Sequence, residues 1–448
     1  MKSCVPHPST PIWQLPFAEG PLEARAEVPG SKSEANRALV LAALSDGPSR
    51  IVGLPTSRDT SLMTDALVAL GADIQTTDDG VTAVTPPSGW RDGAEIDCGL
   101  AGTVMRFVPP VAMLAPGPNS FHGDPRASER PLGPLLNVLR DLGSDIVGDT
   151  SPEPDALPFT LYPPDEWVSR PVTIDASASS QFVSGLLLAA ARFPHGIDLR
   201  HVGETVPSRP HIDMTVAMLA AHGVRIDEPE PDHWIVQPGI LRAADAGVEP
   251  DLTNGSAFLL AGVLTGGWVE VAHWPERSTQ PGDSIKDVIA SFGGWTERRP
   301  DGALRAGSDA GLTAADVDLS AASELTPVVA ALAAVAKGTS RLTGIGHIRG
   351  HETDRLAAIA DALGAVGVSV KIENDGLVIT GGVPRHGGVI DSRDDHRMVH
   401  LAALLGLVTP GVSVLHPEAV AKTMPDFQQR WVAMTGRVPL PMAEERPS

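Results

Sequence analysis

The feature that most constrains this chain is a cassette that recurs roughly every 70 residues. An apolar, helix-like run reaches a glycine turn and passes into a short β-prone segment. The turns lie at Gly47 (DGPSRIVGL), Gly117 (PGPNSFHGD), Gly196 (HGIDLRHVG), Gly267 (GGWVEVAHW), Gly338 (KGTSRLTGI) and Gly411 (PGVSVLHPE), spaced 70, 79, 71, 71 and 73 residues apart. A second series interleaves with it, each member a helix ending in Gly and followed by a strand: Gly71, Gly143, Gly223, Gly293 and Gly367. Glycine just past the last helical residue takes the left-handed conformation without steric cost. The β-branched residues that follow read as a strand. Each cassette is then helix–strand–helix–strand–strand, too long for a solenoid repeat and too short for a large independent domain. The pattern predicts six small α/β units grouped as three and three, joined near Glu249–Pro250–Asp251.

Charge and composition exclude several classes of function. The 448 residues carry a formal charge of −21, whereas a nucleic-acid backbone or an anionic membrane surface calls for a basic face. The longest apolar candidate, Leu325 to Ala336, falls well short of the roughly 18 residues that a membrane span requires. MKSCVPHPSTPIW has one Lys and no apolar stretch, so no signal peptide is expected. Cys4 and Cys98 cannot build a disulfide framework, and no C-x-x-C is present; a cytoplasmic compartment is the expectation.

The basic residues are unevenly used. Only six lysines occur, and two of them, Lys32 and Lys422, fall in the dense polar motifs PGSKSEANR and AKTMPDF. Arg37, Arg106, Arg130, Arg355 and Arg397 sit among small residues rather than on solvated helix faces. PGSKSEANR, CGLAGTVMRF, SASSQF, SELTP and DDHR each open a predicted helix. Ser, Thr, Gly and Asp at these points serve as ordinary N-caps. A helix N-terminus also offers unpaired N–H groups and a positive dipole end. Several such ends, each with Lys or Arg within a turn, predict a site for one or more small polyanions. Other motifs fail on spacing. GSKS lacks the glycines of a phosphate-binding P-loop, and TGIGHIRG misses G-x-G-x-x-G by one position. His347 and His351, four apart, lack an H-E-x-x-H frame for zinc, and no G-x-S-x-G is present.

Taken in order, PGSKSEANR, LAGT-x-x-R, ERP, SASSQF, HETDR, DDHR and AKT-x-P resemble the 5-enolpyruvylshikimate-3-phosphate synthase family, in the form of its actinobacterial members, from about Pro29 to Phe427. The resemblance implies an α/β fold of two similar domains, each of three βαβαββ repeats (an inside-out α/β barrel). Residues 30–248 would form one domain, and residues 1–29 with 249–448 the other, with substrates in the cleft between them. It implies transfer of the enolpyruvyl group of phosphoenolpyruvate to the 5-hydroxyl of shikimate 3-phosphate through a tetrahedral intermediate, with no metal or organic cofactor. By the same resemblance Lys32, Ser33, Arg37, Ser179, Ser180, Gln181, Ser208, Glu324 and His351 match shikimate 3-phosphate contacts. Lys32, Gly102, Arg130, Gln181, Arg355, Arg397 and Lys422 match phosphoenolpyruvate contacts. Glu324 matches the general base, while Glu352 and Lys32 match candidates for proton transfer at C3. Departures from the common pattern are His351 for Lys, His347 for Asn, His211 for Tyr, Glu324 for Asp and Leu100 for Asn. A monomer is expected. The runner-up is a UDP-N-acetylglucosamine enolpyruvyl transferase, disfavoured because the GDPRASERP loop carries no Cys; a non-catalytic binder of phosphorylated metabolites is the reading from another class.

Overall fold

The computed structural model describes residues 11–148, 155–350, 352–383 and 385–436. His351, expected to touch shikimate 3-phosphate, lies outside the described residues. Among these residues the strands form five four-stranded sheets and one three-stranded sheet, so the sixfold periodicity of the sequence is realised as six sheets. The sheet around the second unit shows the common plan. Glu95–Asp97 runs parallel to Asn119–His122, which pairs antiparallel with Phe159–Tyr162, and that strand pairs antiparallel with Asp145–Gly148. A parallel pair needs a crossover, and a helix supplies it. The first helix of each unit is labelled here α1 (Lys32–Leu44), α2 (Gly102–Ala112), α3 (Gln181–Ala190), α4 (Leu252–Thr265), α5 (Thr326–Val335) and α6 (His396–Val408). Helices α2, α3, α5 and α6 are crossovers of this kind, whereas α1 and α4 each join strands of two different sheets. The glycines of the interleaved series turn the chain as predicted: Gly71, Gly143, Gly223, Gly293 and Gly367 all have φ between 77° and 111°.

Burial follows residue pattern. Helices α2–α6 are largely apolar all round, α1 becomes so from Ala38, and all six are mostly buried, as a helix without a polar face must be. The second helix of the first unit, Arg58–Ala69, instead buries a stripe that includes Asp59, Met63, Ala66 and Leu67. Strands such as Ser49–Val52 alternate buried and exposed residues, which puts one sheet face against the helices and the other toward water. Helices are thus inside and sheets outside. Two separate apolar cores result. One spans Ala38 to Leu241; the other joins Leu15–Ala26 to residues between Leu252 and Met434.

Each core closes its first sheet with a strand from elsewhere in the chain. Ala246–Gly247 pairs parallel with Ser49–Val52, and Glu23–Ala26 pairs parallel with Trp268–Val271. The chain therefore crosses between the cores twice, and the two crossings are stitched together. Gly30 and Pro250 form an isolated bridge, Ser31 N donates to Glu249 O at 2.7 Å, and Asp251 N donates to Pro29 O at 2.8 Å.

One helix contact fixes how the site-bearing ends lie. Pro110 has no N–H to give to the Arg106 carbonyl four residues back in α2. Gly185 of α3 packs against that carbonyl so closely that an added Cβ would sit 2.2 Å from the oxygen. Gly185→Ala is expected to force α2 and α3 apart and cost about 1–3 kcal/mol of stability. Urea unfolding checks this, and an unchanged midpoint would count against it.

Candidate active site

The two cores face each other across a cleft of about 1310 Å³. Residues from the N-terminal ends of five inner helices line it, and Glu324 lies just ahead of the sixth. Their positive dipole ends converge on one space, a ready anion site. Three of these ends are capped by their own side chains: Ser31 accepts from Glu34 N, Asp251 from Asn254 N and Asp395 from Arg397 N. The starts of α2, α3 and α5 have no side chain of the N-cap residue bonded to them. At α3 the Gln181 N–H instead donates to Ser179 Oγ at 3.3 Å, and at α5 the Thr326 N–H donates to the Ser323 carbonyl.

Basic side chains close on the same space from both halves. Lys32 pairs with buried Asp59 at 3.1 Å. Arg106 donates to Gln181 Oε1 at 2.7 Å, and Arg130 donates to the Leu100 carbonyl at 3.0 Å. Lys422, from the other half, reaches that same carbonyl at 3.3 Å. The Nε atoms of Arg106 and Arg130 are buried without a hydrogen-bond partner among the described residues. Burial pushes both guanidinium pKa values down, and the charge of Arg130 pushes Arg106 down further. Arg397 is lowered by burial and then by Arg355. Crowded, desolvated cations of this kind are relieved by an incoming anion. At Gly102 a Cβ would lie 2.8 Å from Arg130 Nη2 and 3.0 Å from Arg106 Nη1, so the absent side chain leaves room for these cations.

Carboxylates complete the wall. Burial alone would raise the Glu352 carboxyl, but Lys422 at 2.8 Å, His396 at 3.0 Å and Arg355 outweigh it and hold the group well below the usual carboxylate range. Asp395 is fully buried, pairs with Arg355 through both oxygens at 2.7 and 3.2 Å, and caps α6. Glu352, Asp395 and His396 approach closely enough to hold a metal ion. The Lys422 ammonium and the Arg355 guanidinium, however, already stand as counter-charges there. Glu324 Oε1 lies 3.2 Å from His211 Nε2. His347, lowered by burial against the opposing pull of Glu324, contacts Ser323 Oγ at 3.0 Å.

Lys32, Ser33, Gly102, Arg130, Ser179, Ser180, Gln181, Ser208, Glu324, Glu352, Arg355, Arg397 and Lys422 all line this one cleft. Arg37 does not. It lies in the first core, 1 % exposed, donating to Thr215 Oγ1, Ser33 O, Ser184 Oγ and His211 O, with its guanidinium over the Phe107 ring. Burial lowers its pKa to about 9. It lies on the same face of α1 as Ser33 but one helical turn further from the cleft-lining end, which places its side chain behind the wall while Ser33 lines the cleft. Arg106 does line the cleft; its place one helical turn after Gly102 was the signal that puts both on one face. Asp59 gains its place only through tertiary packing; Asp395 and His396 lie in the DDHR motif at the start of α6, but their ties to Arg355 and Glu352 come from packing.

A cleft of this polarity between two thrice-repeated α/β halves defines the enolpyruvyl transferase class, and solved structures share the architecture. An EPSP synthase from Acinetobacter baumannii superposes with a TM-score of 0.76 at 23 % identity, covering 94 % of this chain and 97 % of that one. The enolpyruvyl transferase NikO from Streptomyces tendae superposes with a TM-score of 0.71 at 18 % identity, covering 93 % and 96 %. Within that class the sequence is specific: residues 17–431 match the EPSP synthase (3-phosphoshikimate 1-carboxyvinyltransferase) family, to which this chain belongs. It transfers the enolpyruvyl group of phosphoenolpyruvate to shikimate 3-phosphate, with release of phosphate.

The Glu352–Lys422 pair has a measurable signature. Glu352 has a depressed folded-state pKa, so its stabilisation is present above the unfolded value of about 4.3 and is lost as pH falls through the folded value. Lys422→Met is expected to cost about 3 kcal/mol near neutral pH, because it strands a buried carboxylate. That penalty narrows below about pH 4, where the wild-type pair is itself losing its contribution. Urea titrations across pH check both features; a penalty independent of pH would be contrary to them.

Proposed function

We propose a division of labour for this cleft in the family's reaction. Arg130, Arg355, Arg397 and Lys422 hold the phosphate and carboxylate of phosphoenolpyruvate, beside Gly102, Gln181 and Lys32. Ser33, Ser179, Ser180, Gln181 and Ser208 hold shikimate 3-phosphate. Glu324 accepts the proton of the 5-hydroxyl as its oxygen bonds to C2, and C3 takes up a proton. The tetrahedral intermediate then breaks its C2–phosphate oxygen bond and loses a C3 proton, which restores the double bond and releases phosphate. Glu352 and Lys32 carry the C3 protons. Arg37 acts from beneath as a positioning residue, through its hydrogen bonds to Ser33 and His211 carbonyls.

The observation that carries this reading is the Glu352–Lys422 ion pair. An arriving phosphoenolpyruvate competes for the Lys422 ammonium, and removal of that neighbouring charge lets the Glu352 carboxyl rise toward a range in which it can exchange protons. The proposal includes two domains, residues 30–248 and residues 1–29 with 249–448, supported by the two cores and the paired crossings. A cytoplasmic monomer is the accompanying reading, favoured by the buried free thiol of Cys98 and the net charge of −21. No described helix is long and apolar enough to cross a membrane.

Phosphate release from phosphoenolpyruvate should depend on shikimate 3-phosphate and not occur with UDP-N-acetylglucosamine; the reverse preference would overturn the acceptor. Arg130→Ala is expected to raise KM for phosphoenolpyruvate about 10- to 100-fold, the worth of one charge-assisted contact. Glu352→Gln should leave KM nearly intact and lower kcat by about 10²- to 10⁴-fold.

A further inference from the structure

His211 stands opposite Glu324 but comes from the other side of the cleft. It lies in the helix Pro210–Ala221 of the first half, whereas Glu324 lies in the short 3-10 turn Ser323–Leu325 of the second. The stretches that carry them, residues 208–211 and 320–324, dock through three contacts. Ser208 N donates to Ser320 O at 3.0 Å, Ser208 Oγ meets Ser323 Oγ at 3.2 Å, and His211 Nε2 meets Glu324 Oε1 at 3.2 Å. Ser208 holds φ at 50°, a left-handed value unusual for Ser. Such strain persists only where surrounding contacts fix it.

We propose that His211 is a positioning residue for the base, donating its Nε2–H across the cleft to one oxygen of Glu324 and so orienting that carboxylate only while the two halves are together. The inference rests on the reading of Glu324 as the base. A glutamate has three rotatable side-chain bonds, and fixing it in one pose needs a partner that is itself fixed. His211 is fixed: its ring is buried, and its carbonyl accepts from Arg37 Nη2 at 3.1 Å and from Thr215 Oγ1 at 2.9 Å. Arg37 also donates to the Ser33 carbonyl at 2.8 Å. One hydrogen-bonded chain therefore runs from the Lys32–Ser33 turn through Arg37 and His211 to Glu324.

The ring's own chemistry agrees with a neutral donor. His211 Nδ1 is buried without a hydrogen-bond partner among the described residues. The neutral Nε2–H tautomer leaves only an acceptor unmet there, whereas an imidazolium would bury an unpaired N–H. Other charged and titratable groups face Glu324 from different elements: His347 from the turn Gly346–Gly350, Arg355 from the helix Arg355–Ala365, and Arg397 from α6, whose Nη1 donates to the Glu324 carbonyl at 3.4 Å. None of these comes from the first half; His211 does, and its contact with Glu324 Oε1 ties the state of the carboxylate to closure.

Steady-state kinetics over pH with the full-length enzyme test this. A donor to the charged form lowers a carboxylate pKa, so His211→Phe should move the acid limb of the kcat profile up by about one pH unit. It should lower kcat about tenfold at the optimum and leave KM for phosphoenolpyruvate within about twofold. His211→Gln, which keeps an N–H near the same point, should restore the limb and most of kcat. Glu324→Gln must abolish most turnover, and adding His211→Phe to it should cost nothing more. An unmoved acid limb in His211→Phe, a His211→Gln enzyme as impaired as His211→Phe, or additive losses in the double variant would each overturn the positioning role. Full turnover by Glu324→Gln would instead overturn the base assignment. Thermal unfolding of each variant identifies loss of fold, and His211→Gln decides the question if His211→Phe does not fold.

Discussion

Everything in this molecule is organised around gathering positive potential in a place where water is scarce. Helices α1–α6 aim their N-terminal ends at one cleft, and buried guanidinium groups crowd the same space. Such an arrangement opposes itself electrostatically, and the fold holds it together by three means. Apolar helix bodies fill two cores behind the cleft. Buried carboxylates, Asp59, Glu352 and Asp395, neutralise part of the charge at close range. Backbone carbonyls such as that of Leu100 take up remaining donors. What is left over, including the unpartnered Nε atoms of Arg106 and Arg130, is the attraction available to a substrate.

The same economy explains a strongly acidic protein that handles anions. The net charge of −21 resides mostly on solvated surface, where salt screens it within about 8–10 Å. Inside the cleft, screening is weak and local groups dominate. The carboxylates there are partners for cations rather than competitors for substrate. Their hydrogen bonds hold each guanidinium or ammonium in place before anything binds, which limits the reorganisation left for the reacting complex.

Much of this was legible in the sequence because it depends on local rules. The glycines of the interleaved series turn the chain where helix-to-strand periodicity changes, and their left-handed φ values follow from that alone. The motifs at helix starts are legible for a similar reason, since N–H groups and small residues at those points have few uses. Arg37 shows the limit. It lies in a dense polar motif beside Lys32 and Ser33, yet one helical turn carries it into the core, where four acceptors take its donors. The pairings Lys32–Asp59, Glu352–His396 and His211–Glu324 join segments 27, 44 and 113 residues apart. No periodicity encodes them; they follow from how the six units pack.

The paired crossings at Gly30 and Pro250 have a bearing on how the polypeptide is made. Strand Glu23–Ala26 leaves the ribosome before the first core but finds its partner, Trp268–Val271, only after the whole of that core has been synthesised. In sequence the first core is inserted within the second, and its residues are all made while its host is still incomplete. An early strand must then wait, unpaired, for a late one, the kind of interval in which unpaired strand edges leave nascent chains dependent on chaperones.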